Sequence, residues 1–360
     1  MSEIIVMTSI LLFIIINILF IVIFKRVFRI NSTFRNYLEI SIIVAAKNEE
    51  ENIFSLINSL QKLDYIEENF EVIIVDDNSS DKTYEVTKDL IRNNRNFHIY
   101  QVDAKELPAK KGALTFGIKK AKNPFILITD ADCRPEKEWL KSYSEKFKDG
   151  FDFVFGNAPF IQNSLFVSKI SCFENLRSSI LTFTSAKVGI PYSSAARNFG
   201  FKKSSFEKVH GYSNTKETLS GDDDLLLREA VKNNMKIGIV SNKSSFVYSS
   251  TKSNFKKYFN QRTRHTKTSF YYLPGRQFIL AAWHLLNLFF LFSIFLIFAD
   301  KLFALLFLMK LLIDFILVKS LQKKFGYEFN NFEIIYLQII YELFLVVHFI
   351  NALFRKDKWK

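Results

Sequence analysis

The chain has 360 residues, of which 49% are hydrophobic, 16% aromatic and 24% charged. The charged fraction excludes a chain embedded entirely in lipid, and the apolar fraction is high for a wholly soluble protein. No nucleic-acid-binding signature accompanies the net charge of +13, so we predict no nucleic-acid partner and assign the basic residues to contact with membrane lipid.

The first predicted element is a transmembrane signal anchor over residues 1–25. Residues 4–24 are apolar and uncharged over about one bilayer thickness. Basic residues follow this segment rather than precede it: Lys25, Arg26, Arg29 and Arg35. The positive-inside rule therefore predicts that the N-terminus lies outside the cell and the next domain in the cytoplasm. The two cysteines, Cys133 and Cys172, form no disulfide framework, which suits a reducing compartment.

A single α/β domain is predicted over residues 36–272, because short β-branched runs alternate there with amphipathic stretches. Strands are predicted over Ile40–Ala46, Glu71–Val75, Phe97–Val102 and Pro124–Thr129. Helical spacing is found over 50–62, 81–93 and 110–122. Apolar strands that alternate with helices are typical of βαβ units, so we predict a mostly parallel sheet.

Residues 164–187 alternate apolar and polar side chains near the helical period. An amphipathic helix on the membrane surface would let a lipid acceptor approach the domain. A helix that faces the protein core would have the same pattern. The sequence leaves both interpretations open.

The C-terminal membrane segments are predicted over 278–354, with a basic tail at 355–360. Segments 278–299 and 302–318 form a helical hairpin. The segment 333–353 is long enough to span a bilayer but contains four polar residues, namely Glu333, Glu342, His348 and Asn351. A full crossing would place the basic tail outside, against the positive-inside rule. We therefore predict two to three C-terminal membrane helices, the last one either spanning or interfacial.

The strongest chemical signal is the pair Asp130 and Asp132, which ends the apolar run ILITDAD. Open α/β sheets bind ligands at the carboxyl ends of their strands. Two carboxylates one residue apart can hold Mn²⁺ or Mg²⁺, which prefers oxygen ligands and also binds phosphate. An isolated pair is more often an acidic turn or a helix cap, but the strand context favours a metal-bound nucleotide.

A second acidic pair, Asp76 and Asp77, ends the run VIIVDD. The residues that follow, 78–81, have turn and helix-capping chemistry, which does not explain the pair itself. These carboxylates could accept hydrogen bonds from a base or a ribose. The first strand likewise ends in a polar loop, AKNEE, that opens a helix.

The ordered series SIIVAAKNEE, IIVDDNSSD, KKGAL, LITDAD and GDDDLLLR resembles the family 2 glycosyltransferases with the GT-A fold, over about residues 40–265. The resemblance implies a Rossmann-like sheet and a hexosyltransferase with a nucleotide sugar donor, most commonly a UDP-sugar. Implied donor-binding residues are Ala45, Glu49, Asp76, Asp77, Lys111 and Asp130, and Asp132 is the more direct metal ligand. Together with the membrane segments, the resemblance favours a lipid or lipid-linked glycan as acceptor.

The acceptor side is implied by a family pattern, Glu-Asp-x-Asp-Leu, whose first aspartate deprotonates the acceptor hydroxyl. Aligning its last aspartate on Asp224 makes Asp222 the catalytic base, with Gly221 in place of the glutamate. Asp223 is the alternative, because a shift by one residue gives another acidic pair. Acidic residues are also favourable at the start of a helix, but helix capping does not require three successive aspartates. Asp223, Asp224 and Arg197 are predicted on the acceptor side.

The segment QRTRH at 261–265 resembles the Gln-x-x-Arg-Trp element of membrane-bound family members. Gln261 and Arg264 match and are predicted to bind the donor, whereas His265 stands where tryptophan is expected. Loss of this aromatic platform would remove stacking on an acceptor sugar, so a processive polysaccharide synthase is kept only as an alternative within the class. A basic juxtamembrane stretch would explain the same residues.

The implied reaction is a direct, inverting displacement at the anomeric carbon, in which Asp222 accepts the proton of the acceptor. The metal would neutralise charge on the leaving diphosphate. Two other classes remain as alternatives: a nucleotidyltransferase on the same scaffold, and an inactive membrane scaffold. The acidic cluster at Asp222 argues against the first, and the joint presence of Asp77, Asp130 and Asp132 argues against the second.

Overall fold

The computed structural model describes residues 2–27, 37–102 and 105–355. The chain forms two compact units. The helical unit contains the N-terminal helix, Gln162–Ile190 and Thr251–Arg355. The sheet unit contains the described residues between the N-terminal helix and Gln162, together with Pro191–Ser250. The predicted 36–272 domain thus includes segments of both units. Arg29, Arg35 and the tail beyond Arg355 lie outside the described residues.

Six helices make up the helical unit: α1 (Ser2–Val27), α6 (Phe166–Lys187), α9 (Phe255–Thr268), α10 (Pro274–Phe292), α11 (Phe303–Leu321) and α12 (Asn331–Phe354). Among the described residues, three helical stretches are long and apolar enough to cross a membrane, namely Val6–Phe24, Pro274–Leu296 and Asn331–Phe354. The predicted number of such helices, one N-terminal and two to three C-terminal, is confirmed.

A cluster of buried charges joins four of these helices. The ammonium group of Lys310 on α11 donates to Asp314 at 2.7 Å, to Glu342 on α12 at 3.1 Å and to Asn287 on α10 at 3.0 Å. Arg177 on α6 donates to Asp314 at 3.0 Å. Two cations and two carboxylates compensate each other, which matters because an unpaired charge in lipid costs several kcal/mol. Helix α6 therefore has a protein-facing side within the helical unit.

The sheet unit has a large and a small sheet. The large sheet has the strand order β3-β2-β1-β4-β8-β6-β9. Its strands are β1 (Ile40–Ala46), β2 (Phe70–Asp76), β3 (Phe97–Gln101), β4 (Phe125–Asp130), β6 (Phe153–Gly156), β8 (Phe199–Lys202) and β9 (Ile237–Val240). Strand β8 pairs antiparallel with β4 and β6, and the remaining pairs are parallel. The small sheet has the order β5-β10-β7, with β5 (Cys133–Pro135), β7 (Phe160–Ile161) and β10 (Val247–Ser250). The predicted α/β class with a mostly parallel sheet is confirmed.

The helices of this unit are α2 (Ile53–Leu60), α3 (Thr83–Leu90), α4 (Ala109–Lys120), α5 (Trp139–Lys148), α7 (Lys203–Lys208) and α8 (Asp224–Lys232). Helix α2 buries residues at the spacing of one helical face, Ile53, Leu56, Ile57 and Leu60. The inner strands β1 and β2 are buried almost throughout, because helices cover a parallel sheet on both faces. All four strands and all three helices of the predicted alternation are present, with shifts of up to three residues at their ends.

Asn198 is the centre of a buried polar network beside β8. Its amide oxygen accepts from the indole of Trp139 at 2.8 Å and from the hydroxyl of Tyr143 at 2.6 Å. Its amide nitrogen donates to the carbonyl oxygens of Asn157 at 2.7 Å and Ser245 at 3.0 Å. Every polar group of this side chain is satisfied, so the network joins α5 to segments that flank both sheets.

We expect Asn198→Ala to lower the free energy of unfolding by about 3 kcal/mol, because it leaves several buried donors and acceptors without partners. The measurement is the thermal unfolding midpoint of the detergent-solubilised protein, which should fall by several degrees. Asn93→Ala, at an exposed position, is the matched control and should change stability by less than about 0.5 kcal/mol. Equal midpoints for the two variants would contradict the structural role of Asn198.

Candidate active site

The register of the central strands brings three predicted site positions to one edge of the sheet. Parallel pairing sets Ala46 opposite Asp76, and Ala45 opposite Asp130. The main-chain amide of Asp77 donates to the carbonyl of Ala46 at 2.8 Å. The carboxyl ends of β1, β2 and β4 therefore lie side by side, where open α/β sheets bind ligands.

Asp76 and Asp77 at the end of β2 are almost fully buried. One carboxylate oxygen of Asp76 accepts from the amide of Ser79 at 3.2 Å, and one oxygen of Asp77 pairs with the ammonium group of Lys105. The other oxygen of each carboxylate has no hydrogen-bond partner among the described residues. Because such buried acceptors are costly when unsatisfied, these two oxygens are suited to accept hydrogen bonds from a ligand.

Glu49 lies in the loop after β1 and ties this loop to the one after β2. Its amide donates to the hydroxyl of Thr83 at 2.8 Å, and its carboxylate accepts from the side chain of Asn52 at 2.8 Å. In the same loop the side chain of Asn48 accepts from the amide of Ser80 at 2.8 Å. These contacts hold the rim of the site together, and donor binding by Glu49 stays a prediction.

Asp130, Asp132 and Cys133 form the candidate metal site. One ligand atom from each residue lies within 4.8 Å of the others. Burial, reinforced by the two neighbouring carboxylates, raises the pKa of the Cys133 thiol well above its ordinary value. Mg²⁺ and Mn²⁺ prefer oxygen ligands to sulfur, which makes the thiol the weaker donor of the three. The two carboxylates remain as oxygen donors, which fits Mg²⁺ or Mn²⁺ with coordination positions left for phosphate and water.

Lys110 joins the candidate metal site to the predicted base. Its ammonium nitrogen lies 2.6 Å from a carboxylate oxygen of Asp130 and 2.6 Å from one of Asp222. Burial lowers the pKa of Lys110, but the two carboxylates outweigh this effect and hold the pKa well above its ordinary value. A single permanent cation therefore connects residues that are 92 positions apart in the chain, 130 and 222.

The neighbouring Lys111, which the KKGAL motif predicted to bind the donor, has different contacts. Its ammonium group donates to the carbonyl oxygens of Thr215 and Thr218, the latter at 3.0 Å, and burial lowers its pKa to about 8. Leu114 and Ile118 are buried and lie on the same face of α4 as Lys111, three and seven residues further along the chain. This stripe does not separate the two lysines, because Lys110 has the buried residues Ala113, Leu114 and Gly117 three, four and seven positions further along α4. Donor binding by Lys111 stays a prediction.

The three aspartates before and at the start of α8 have different partners. Asp222 pairs with Lys110, as described. A carboxylate oxygen of Asp223 accepts from the amide of Ala196 at 2.6 Å, and one of Asp224 accepts from the hydroxyl of Ser193 at 2.8 Å. Asp223 and Asp224 thus hold the 193–196 segment. Of the three, Asp222 is the one joined through Lys110 to the candidate metal site.

Arg197 is held by partners on the small sheet and beside it. Its guanidinium donates to the carbonyl of Ala158 at 2.9 Å and to the hydroxyl of Ser249, and it lies 4.3 Å from the ring centroid of Phe160. These contacts fix the side chain with a cation–π interaction and two hydrogen bonds. Its predicted place on the acceptor side stays a prediction.

Gln261 and Arg264 lie on α9, in the helical unit, and both are partly buried. Between them Arg262 pairs with Glu174 of α6 at 2.8 Å, and the hydroxyl of Tyr258 donates to the same carboxylate at 2.6 Å. The sequence analysis did not single out Arg262, since its partner is 88 residues away. Donor binding by Gln261 and Arg264 stays a prediction.

Fold and site together define an α/β domain with acidic residues at adjoining strand ends. Residues 41–209 match the family described as Glycosyl transferase family 2. The predicted resemblance is thereby confirmed.

Two curated relatives match part of the chain. A dolichyl N-acetyl-α-D-glucosaminyl phosphate 3-β-D-2,3-diacetamido-2,3-dideoxy-β-D-glucuronosyltransferase of Methanococcus voltae is 35% identical over 109 residues, covering 30% of this chain and 34% of that protein. A beta-monoglucosyldiacylglycerol synthase of Trichormus variabilis is 36% identical over 101 residues, covering 28% of this chain and 22% of that protein. The chain thus spans about a third or less of the length of these relatives.

One solved structure covers nearly the whole chain. The mannosyltransferase PcManGT from Pyrobaculum calidifontis, in complex with GDP-Man and Mn²⁺, has a TM-score of 0.63 and 16% sequence identity. The match covers 98% of this chain and 96% of that protein. At this identity the likeness concerns the fold, which is shared along the chain.

We expect Asp223→Asn to stabilise the protein increasingly as the pH rises. Burial, with repulsion from Asp224 and Asp222, raises the pKa of Asp223 well above its ordinary value of 3.8. The folded state therefore binds this proton more tightly than the unfolded state, and the resulting stability is present below pH 3.8 and lost as the pH rises through the folded pKa. Asparagine keeps an oxygen for the Ala196 amide and does not titrate.

The measurement is the difference in thermal unfolding midpoint between Asp223→Asn and the wild type, followed from acid to neutral pH. The difference should grow with pH, whereas the exposed control Asp89→Asn should show no such trend. A constant or shrinking difference would contradict the raised pKa of Asp223.

Proposed function

We propose that the protein is a membrane-bound glycosyltransferase that moves a sugar from a nucleotide diphosphate sugar to a lipid or lipid-linked glycan. The single observation that carries this proposal is the pairing of Lys110 with both Asp130 and Asp222. It joins a candidate diphosphate site to a candidate acceptor base, and the two buried acceptor oxygens of Asp76 and Asp77 lie along the same sheet edge. The match of residues 41–209 to family 2 supports the reaction class.

The donor is proposed to bind with its base and ribose at Asp76 and Asp77. Hydrogen-bond donors of a nucleoside would satisfy the two buried carboxylate oxygens. Ala45 and Glu49 form the adjoining rim, and Lys111, Gln261 and Arg264 are further candidates for donor contacts. A UDP-sugar is the proposed donor.

The diphosphate is proposed to bind beside Asp130 and Asp132, which would hold Mn²⁺ or Mg²⁺. When bound, this ion neutralises negative charge on the leaving nucleoside diphosphate. Asp132 is the proposed direct ligand, and Asp130 is oriented by its ion pair with Lys110. Lys110 adds a second positive charge where negative charge develops, which lowers the barrier to departure of the leaving group.

The acceptor side is proposed to consist of Asp222, Asp223, Asp224 and Arg197. Asp222 accepts the proton of the acceptor hydroxyl as its oxygen attacks the anomeric carbon from the face opposite the leaving group. This displacement inverts the configuration of the sugar. Asp223 and Asp224 hold the 193–196 segment by hydrogen bonds, so they position the residues that directly precede Arg197.

The acceptor is proposed to be a lipid or a lipid-linked glycan. Three helical stretches are apolar enough to cross a membrane, so an acceptor that remains in the bilayer can reach an enzyme anchored there. The names of both reported relatives contain a lipid, a dolichyl phosphate in one case and a diacylglycerol in the other. The N-terminus is proposed to lie outside and the sheet unit in the cytoplasm, where basic residues follow the first anchor.

Asp222→Asn should lower kcat for sugar transfer by roughly 10²- to 10⁴-fold, because the attacking hydroxyl loses its general base. Binding of the nucleotide sugar should remain close to that of the wild type. The measurements are incorporation of radiolabelled sugar into membrane lipid in detergent with Mn²⁺, and donor binding by calorimetry. Asp89→Asn, at an exposed position, is the matched control and should retain full activity.

Three outcomes of this assay distinguish the candidate functions. Full activity of Asp222→Asn together with an inactive Asp223→Asn would move the base to Asp223. Release of pyrophosphate from a nucleoside triphosphate and a sugar 1-phosphate, without sugar transfer to lipid, would identify a nucleotidyltransferase. No turnover of any of these substrates by the wild type would favour an inactive scaffold. A mass spectrum of the product separates a single transfer, with one added sugar, from a processive synthase, with a ladder.

Removal of divalent metal by EDTA should abolish transfer, and Mn²⁺ or Mg²⁺ should restore it. Asp132→Asn should raise the Mn²⁺ concentration for half-maximal activity by at least roughly 10- to 100-fold. Loss of a residue that only hydrogen-bonds to a metal ligand already lowers metal affinity by this factor, and Asp132 is the proposed ligand itself. The measurement is a metal titration of the initial rate, with Asp89→Asn as control. Unchanged activity in excess EDTA would contradict a metal-dependent reaction.

A further inference from the structure

A buried hydroxyl group in the sheet unit has no hydrogen-bond partner. Tyr212 exposes only 1% of its surface, and its hydroxyl group makes no hydrogen bond within the part of the chain that the structure describes. A buried hydroxyl group without a partner lowers the stability of a fold. Such a group is therefore expected to gain a partner when a substrate binds and a neighbouring side chain moves.

The ring of Tyr212 is held in place by other aromatic rings. Its centroid lies 5.3 Å from that of Phe206 in an edge-to-face contact, and Phe206 stacks on Phe201 at 5.0 Å. Phe201 belongs to β8 of the large sheet. These contacts fix the position of the hydroxyl group without making use of it.

The segment that follows Tyr212 is bound to both α4 and α8. The amide of Thr215 donates to the carbonyl oxygen of Tyr212 at 3.1 Å. Lys111 of α4 donates to the carbonyl oxygen of Thr215, and Arg228 of α8 donates to that of Asn214 at 2.7 Å. The segment therefore lies against the two helices that carry the partners of the predicted base.

Asp222 is held at the same place by the residue next to Lys111. Lys110 pairs with Asp222 at 2.6 Å, and α8 begins two residues after Asp222. Lys110 and Lys111 are consecutive residues at the beginning of α4. The segment that follows Tyr212 and the carboxylate of Asp222 consequently meet at this end of the helix.

The charges at this end of α4 act on the hydroxyl group of Tyr212. Burial raises the pKa of this hydroxyl well above its ordinary value, and the negative charge of Asp222 adds to the effect. Lys110 lowers the same pKa and Asp223 raises it, both less strongly than burial does. The hydroxyl group is thus a neutral hydrogen-bond donor within electrostatic reach of Asp222.

We propose that Tyr212 is a positioning residue for sugar transfer, with its hydroxyl group as a second hydrogen-bond donor to Asp222. In the structure, Lys110 is shared between Asp130 and Asp222. The negative charge of a donor diphosphate attracts this ammonium group and weakens its hydrogen bond to Asp222. The Tyr212 hydroxyl group then holds one carboxylate oxygen of Asp222, and the other oxygen accepts the proton of the acceptor. This inference rests on the proposed function, in which Asp222 is the base.

The test is Tyr212→Phe in the full-length protein, which keeps the ring and removes only the hydroxyl group. The kcat for transfer from radiolabelled UDP-sugars to membrane lipid should fall roughly 10- to 100-fold, the factor that corresponds to a hydrogen bond to a charged group. The Kd of UDP, measured by calorimetry with Mn²⁺, should not change. The thermal unfolding midpoint should stay equal or rise, because the unliganded protein loses no hydrogen bond.

Tyr143→Phe is the matched control, because Tyr143 is equally buried and its hydroxyl group has a structural partner. This hydroxyl group lies 2.6 Å from the amide oxygen of Asn198 and 2.8 Å from its carbonyl oxygen. Its removal should lower the thermal unfolding midpoint by a few degrees and leave kcat unchanged. The same substitution thus affects stability at position 143 and turnover at position 212.

A double-mutant cycle tests whether Tyr212 acts through Asp222. In an Asp222→Asn background, Tyr212→Phe should lower kcat less than about twofold, because the carboxylate that the hydroxyl group positions is gone. An undiminished effect in this background would overturn the inference and leave the proposed function intact. A wild-type kcat for Tyr212→Phe beside an impaired Asp222→Asn would do the same. Absence of transfer by the wild type would overturn both.

Discussion

Parallel pairing of β1 with both β2 and β4 obliges three strands to end at the same edge of one sheet, and the candidate site follows from this constraint. Each of these strands is mostly apolar, and acidic or polar residues lie at or directly after its carboxyl end. Residues that are far apart in sequence are therefore brought together without a contact between their own side chains. Hydrogen bonds between the loops then fix their positions relative to each other, as Asn48 and Ser80 do between the first two loops.

Positive charge balances the acids that this arrangement concentrates. Lys105 pairs with Asp77, and Lys110 pairs with Asp130 and Asp222. The same rule holds in the helical unit, where Lys310 and Arg177 match two carboxylates. Burying these groups is tolerable only because each charge has a partner at hydrogen-bond distance. The helical cluster pairs two cations with two carboxylates, whereas the ion pairs of the candidate site set Lys105 and Lys110 against three carboxylates, those of Asp77, Asp130 and Asp222.

Much of the sheet unit was predictable because local patterns determine it. Strands buried on both faces give continuous apolar runs, and α2 has its buried residues at the spacing of one helical face. The acids at the strand ends were recognisable for the same reason.

Contacts between residues far apart in the sequence could not be predicted from local patterns. Lys110 meets Asp222 across 112 residues, and Arg262 meets Glu174 across 88 residues. Neither pair has a periodicity that would relate its members.

The charge cluster of the helical unit also sets an order of assembly during synthesis. Arg177 leaves the ribosome long before Lys310 and Asp314, and Glu342 emerges after all three. Until residue 342 is made, the cluster has two cations and a single carboxylate, so the nascent bundle has an uncompensated positive charge. Final closure of the bundle therefore waits for α12, because Glu342 supplies the second carboxylate of the cluster.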